Sequence, residues 1–298
     1  MFGEINSRFS AGSLLLFLFS SLKCANPMHR LLVATDFSPA ARTAFEYTLQ
    51  LAAHLKAEIH LLFINKAVKA ETSLPEQHRR ALIERDNQAY EKKLQRWARH
   101  YPDQPREHTA APPVHFHVRA GKAASGIIQA ASELQAEAIV LGGREKHNIR
   151  EHLFGSVTTQ LIGRSPCPML IIPEKARYQT LQSIALAVDI TLSEERVARR
   201  LKEIAGPLNA SVQPFFVNML PGEQDKIKLE QLDANGQRID MVRDREITSG
   251  ITYYLEQNPV QMLAMYIPRR AFHEHLLHGH LLRYMAWHTP LPLMLVRE

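Results

Sequence analysis

The strongest constraint on this chain is that it matches itself. At a fixed offset of 124 residues, Ser125-Gly126-Ile127 recurs as Ser249-Gly250-Ile251, Gly155 as Gly279, and PCPMLII from Pro166 as PLPLMLV from Pro290. A constant spacing between matching segments marks a duplicated unit. Upstream, LLVATD ending at Asp36 matches ALAVD ending at Asp189 at an offset of 153. The difference, 153 minus 124, means that the second copy lacks 29 residues between its first strand and its Ser-Gly-Ile helix. The copies are homologous but unequal. Length agrees, since 298 residues against roughly 150 per domain predict two units. These are placed at 28–174 and 180–298, with 1–27 an extension or mis-assigned start outside the fold.

Within the first copy the hydrophobic period switches between short apolar runs and helical spacing. Residues 31–35 read as a strand buried on both faces, and Ser38-Pro39 opens a helix with Ser as N-cap and Pro at its first position. That helix is predicted to run to about Leu55, with Ala44, Tyr47, Leu51 and Leu55 on one face. EIHLLFI (58–64) is the second strand, and 75–101 is an amphipathic surface helix with Leu82, Tyr90, Leu94 and Trp97 at helical spacing. After a Pro-rich loop come a strand at 114–118, a helix at 123–134, a strand at 138–141, a helix across 156–162 and a strand at 169–172. The second copy repeats the strands near 184–188, 211–217, 238–242, 262–265 and 293–296, with helices between. Such alternation implies right-handed crossovers and a parallel, doubly wound α/β sheet in each copy. The fifth strand of each is short, apolar and preceded by Pro. An edge of that kind invites pairing, here between the two copies. The linker, 173–180, is short and polar, so the copies are expected to pack together.

Composition narrows the function classes. With 45% hydrophobic and 22% charged residues and 13 Gly and 17 Pro, the chain is neither disordered, collagenous nor a coiled coil as a whole. Two cysteines, Cys24 and Cys167, exclude a disulfide scaffold. The net charge of +6 is spread over short groups such as 78–80, 198–200 and 268–270, which reads as solvated surface and not as a nucleic-acid arm. The one strongly apolar tract, 14–22, is nine residues long and too short to span a bilayer. Its flanks do not suit a cleaved signal, and Met28 directly before the first strand is the preferred start.

Neither G-x-G-x-x-G nor G-x-x-x-x-G-K-[ST] is present. In an open parallel sheet, ligands bind at the carboxyl ends of the strands where the winding reverses. The candidate residues are therefore Thr35, Asp36, Phe37 and Ser38 after strand one, and Gly142, Gly143, Gly155, Ser156 and Thr158 after strand four.

MHRLLVATDFSPAA (28–41), GSVTTQLIGRSPCPMLII (155–172) and the glycine after strand four resemble the universal stress protein family, and the duplication resembles its tandem members. The resemblance covers 28–298, strongly in the first copy and faintly in the second. It implies two doubly wound, adenine nucleotide alpha hydrolase-like sandwiches, each with a five-stranded parallel sheet of order 3-2-1-4-5. These would form an intramolecular pseudo-dimer through their fifth strands. It also implies a cytoplasmic stress-response role without a defined catalytic reaction. Nucleotide-binding members carry G-x-x-G, nine residues, then G-[ST], because glycines let backbone N–H groups approach phosphates and the last pair opens a helix whose N-terminus favours anions. The cofactor implied is ATP or a related adenine nucleotide, in the first copy alone. Its residues would be Thr35, Asp36, Gly142, Gly155, Ser156, Val157 and Thr158, with Asp36 at the nucleoside.

The second glycine of the pattern is replaced by Glu145, a carboxylate that repels phosphate, flanked by Arg144, Lys146 and Arg150 that offset it. In the second copy the register maps Gly142 onto Tyr266, Glu145 onto Arg269 and Ser156 onto His280, leaving Gly279 and Asp189. A tyrosine fills the space a phosphate needs, so that copy is expected to be a structural partner. The histidines of HEHLLHGH (273–280) read as surface groups and not a metal site, and Cys167 as a small buried residue between two prolines. Expected partners are the other half of the chain, a second copy of it in a homodimer, and unidentified proteins, with no membrane and no nucleic acid. The rival to nucleotide binding is a scaffold or partner-interaction protein of the same fold in which Glu145 has closed the pocket. An ATP-hydrolysing enzyme finds no acid, base or metal constellation to support it.

Overall fold

The computed structural model describes residues 29–66, 75–99, 111–143, 156–188, 206, 210–219, 227–232, 238–267, 281, 284–285 and 288–297. The first copy runs β1 (Arg30–Thr35), α1 (Pro39–Leu55), β2 (Glu58–Asn65), α2 (Glu76–Arg99), β3 (Val114–Ala120), α3 (Ala123–Glu133), β4 (Ala138–Gly143), α4 (Ser156–Ile162) and β5 (Met169–Pro173). The second runs β6 (Ser183–Ala187), β7 (Ser211–Met219), β8 (Ile227–Leu232), β9 (Arg238–Asp244), α5 (Ile247–Gln257), β10 (Met262–Ile267) and β11 (Leu293–Arg297). The polar connection begins one residue later than expected, because Pro173 still pairs with Gly143 in β5. The 1–27 segment and the 273–280 histidines lie outside the described residues, as do Cys24, Glu145, Gly155 and Asp189.

The repeat survives at the level of single hydrogen bonds. β3 and β9, α3 and α5, β4 and β10, and β5 and β11 each begin 124 residues apart, whereas β1 and β6, and β2 and β7, begin 153 apart. Glu137 N–H donates to Arg30 O at 3.0 Å, and Gln261 N–H to Ser183 O at 3.0 Å. The Glu137 carboxylate accepts from the amides of His29 and Arg30, as Gln261 Oε1 does from those of Gln182 and Ser183. The proline before each fifth strand lacks an N–H but gives its carbonyl to the fourth, Pro168 to Ile139 and Pro292 to Leu263. The repeated glycine is explained by contact: a Cβ on Gly126 would stand 2.8 Å from Ile64 Cδ1, and one on Gly250 would stand 2.6 Å from Val217 Cγ1.

These offsets place the missing 29 residues between the second and third strands. The first copy there has α2, whose Leu94 is fully buried and whose Trp97 packs at 5.5 Å from Phe45. The second copy has β8, antiparallel to β9 from Ile227 opposite Arg243 to Leu232 opposite Arg238. Among the described residues the second copy thus adds an antiparallel edge strand to the expected five-stranded parallel sheet. The signal is in the sequence: DANGQ (233–237) separates the two runs, and Asn-Gly is a strong hairpin signal.

All eleven strands form one sheet, in the order β3-β2-β1-β4-β5-β11-β10-β6-β7-β9-β8. Each copy keeps a parallel 3-2-1-4-5 arrangement, and the two meet where β5 and β11 pair antiparallel, Leu170 opposite Met294. The expected edge pairing thus fuses the copies into a single layer in place of two separate ones. Buried residues on one face join Leu31, Val33 and Leu170 with Ile184, Met294 and Val296, and on the other Leu32, Ile139 and Ile171 with Phe215, Leu263 and Leu295. Both cores therefore run across the seam. The connection to β6 is held as well: Thr43 Oγ1 donates to Glu174 O at 2.8 Å, and Tyr178 meets Tyr47 edge-on at 5.1 Å. Among the described residues no helix is long and apolar enough to cross a membrane.

Candidate functional site

The winding of the first copy reverses between β1 and β4, which pair in parallel with Val33 opposite Val140. Their carboxyl ends lie side by side, and the chain leaves β1 through a turn stitched by its own side chains. Thr35, buried at the strand end, accepts at Oγ1 from Phe37 N–H at 3.0 Å. Asp36, exposed, accepts at Oδ1 from Ser38 N–H at 3.0 Å. Ser38 Oγ accepts from Ala41 N–H at 3.3 Å and caps α1, with Pro39 at its start as expected. A cap of this kind contributes about 1 kcal/mol.

Between Asp36 and Ser38 stands Phe37, at φ 63°, a left-handed conformation uncommon for a residue with a side chain. Its ring is held at 4.7 Å from Phe63 and 5.8 Å from Trp97, and Lys93 Nζ lies 4.4 Å from its centroid. The Arg42 guanidinium covers Trp97 at 3.7 Å. The residues that sequence reasoning left unassigned here are Lys93 and Arg42, two cations that α2 and α1 bring to the turn. Tyr90, Lys93 and Trp97 at spacings of three and four were the available signal.

Gly142 has a packing reason beside the one its motif suggests. A Cβ there would stand 2.4 Å from both the carbonyl carbon and oxygen of Ala40 and 2.7 Å from Ala41 N. The glycine lets the first turn of α1 press against β4, bringing Asp36, Ser38 and Gly142 into one constellation. Tyr266 stands in the same register of β10, paired with Val296.

Ser156 opens α4, and Val157 and Thr158, both half-buried, follow in its first turn. Val157 packs against the core that contains Leu161 and Ile162. The structure thus joins Thr35, Asp36 and Gly142, and sets Val157 and Thr158 on the helix that enters β5. Gly155 and the 144–154 segment lie outside the described residues. Burial pushes the Cys167 thiol up to about 12, which disfavours the thiolate form. Among the described residues, no three His, Cys, Asp or Glu side chains could hold a metal ion.

The sequence profile described as the Universal stress protein family matches residues 28–173. A universal stress protein from Archaeoglobus fulgidus DSM 4304 shares 14% identity and a TM-score of 0.60, over 91% of this chain and 98% of that one. A protein of unknown function from Pseudomonas aeruginosa PAO1 shares 13% identity and a TM-score of 0.55, over 92% of this chain and 94% of that one. At these identities the likeness is one of fold, and it spans both halves. A structure of a universal stress protein in complex with cAMP covers 50% of this chain at 18% identity, with a TM-score of 0.35. No curated protein matches this chain in sequence.

Proposed function

We infer the function from a first half, residues 28–173, that belongs to the universal stress protein family, and from a second copy of the same fold behind it. From that premise we propose that it is a stress-response protein whose first half holds an adenine nucleotide, with ATP as the ligand to test first. The observation that carries the reading is the exposed Asp36 carboxylate beside the Ser38 cap and Gly142, at the reversal of the sheet. A carboxylate offers about four acceptor positions, so Asp36 can serve the Ser38 amide and still accept from ribose hydroxyls. Ser156, Val157 and Thr158, with Gly155 before them, would take the phosphates through backbone N–H groups and hydroxyls. Lys93 and Arg42 add positive charge near the turn and favour an anionic ligand.

The proposed role is stress-response binding in the cytoplasm and not turnover. The second half, with Tyr266 in place of the glycine, is its structural partner.

Melting of the full chain with and without Mg²⁺-ATP tests this. At a hundred times the dissociation constant a ligand adds about 2.7 kcal/mol to the folded state. A rise of about 5 °C in Tm follows for a chain of this size. Asp36→Asn keeps an acceptor for Ser38 N–H and is expected to reduce the nucleotide-dependent rise, measured against the variant's own unliganded Tm. No rise in the natural chain would contradict the reading.

A further inference from the structure

At the end of the first half opposite Asp36, β2 begins EIH and β3 begins VHFH. The register sets His60 opposite His115 and Leu62 opposite His117. Residues at alternate positions share a face, so Glu58, His60, His115 and His117 all stand on one side of the sheet. They are bonded in a line. His60 Nδ1 lies 2.9 Å from His117 Nε2, His60 Nε2 3.2 Å from Glu58 Oε1, and His115 Nε2 3.3 Å from Glu58 Oε2. The His60 ring stacks on His115 at 5.0 Å and on His117 at 5.2 Å. His60 is buried, whereas the outer end of the line at His115 is half exposed. β3 is one of the two edge strands of the sheet, with β2 its one strand neighbour.

The surrounding charges are accounted for on every element packed against this line. On β3, Arg119 bonds Glu133 of α3 at 2.6 Å, and Gln129 of α3 bonds the same carboxylate. On β1, Arg30 stands opposite Glu58 and bonds Gln135. Glu58 is held below the usual carboxylate range, first by its bond from His60, and so stays ionised. Four of the six ring nitrogens face one another or Glu58, and among the described residues no group of three such side chains could hold a metal ion.

Proton counting then restricts the line. An ionised carboxylate can only accept, so His60 Nε2 carries a hydrogen toward Glu58. Between His60 Nδ1 and His117 Nε2 there is room for one proton. When the pair gains a first extra proton, one ring becomes a cation and the bond survives, because the other ring still offers a lone pair. A second extra proton makes both facing nitrogens donors, and the bond breaks with two cations beside Arg119. We propose that the Glu58–His60–His115–His117 line is an acid-sensitive latch that holds the edge strand β3 on β2 near neutral pH and releases it when a second proton enters the His60–His117 pair.

The energetic sign agrees. Burial first, and then the charges of His60, Arg119 and His115, hold His117 below its ordinary 6.5. A base held below its unfolded value stabilises the folded state fully above that value, and this contribution is lost as pH falls through the lower native one.

Hydrogen exchange of the full chain at about pH 7.5 and about pH 5.5, corrected for the intrinsic rate, tests the latch. Exchange at 114–120 is expected to rise several-fold on acidification relative to the buried strand at 138–143. His117→Gln, whose amide can donate to His60 Nδ1 without titrating, is expected to abolish the rise. A flat wild-type response, or the same rise in the variant, would overturn the proposal. If the variant does not fold, ring titration of the natural chain by NMR decides. Two separated steps for His60 and His117, the second accompanying loss of β3 protection, support the latch. Independent titration of both rings with β3 unchanged overturns it.

Discussion

Gly142→Ala is expected to cost the folded chain about 3 kcal/mol or more, at or beyond the upper end of the overpacking range. The added methyl would lie 2.4 Å from the backbone of Ala40, in a helix turn pinned by the Ser38 cap. Backbone cannot rotate away, so either α1 lifts from β4 or the end of β4 bends. Two glycines with softer neighbours supply the controls. Gly126→Ala would meet Ile64 Cδ1, the far end of a rotatable side chain. The helix-propensity gain of about 1 kcal/mol then roughly cancels a rotamer cost of similar size. Gly250→Ala meets both methyls of Val217, at 2.6 Å and 2.9 Å, on a stiff β-branched residue, and falls between. Denaturant melts of the three variants should order them Gly142, Gly250, Gly126 from most to least destabilised. Equal losses would mean that the backbone approach at Gly142 is not as close as described.

Leu170→Ala and Met294→Ala are each expected to destabilise the whole molecule by about 2–5 kcal/mol, the range for truncating a buried Leu or Met. The two side chains face each other across the antiparallel seam and are 1% and 2% exposed. Because both cores cross that seam, the halves should unfold in one transition. The double variant should deviate from additivity by about 0.5 kcal/mol or more, as contacting residues do. Two resolved transitions in the natural chain, or strict additivity, would show that the halves are merely tethered.

Much of this architecture can be read from particular residues. Ser38-Pro39 fixes the start of α1, the apolar runs at 31–35 and 169–172 locate strands buried on both faces, and the offset of 124 carries the bounds of β3, α3, β4 and β5 into the second copy. The seam is legible too, since a short apolar edge strand behind a proline occurs twice. Two features are not legible, for a common reason: each depends on a distance between segments far apart in sequence. Gly142 looks like part of a ligand motif, yet the atoms that demand a glycine belong to Ala40, about a hundred positions earlier. The alternation of His115 and His117 shows that they share a face. Only the register of β3 on β2 reveals His60 beside them. β8 replaces a helix at the same place in the repeat, where copying the first half's pattern points to the wrong element even though Asn235-Gly236 signals a hairpin.

The proposed nucleotide site is asymmetric: Asp36 and Gly142 would hold it in the first half, whereas the equivalent strand of the second half carries Tyr266. Titration calorimetry of the full chain with Mg²⁺-ATP measures that asymmetry as a stoichiometry. One nucleotide per chain, with affinity lowered by Asp36→Asn, is the predicted result. Two per chain, or a single equivalent that Asp36→Asn leaves untouched, would contradict it.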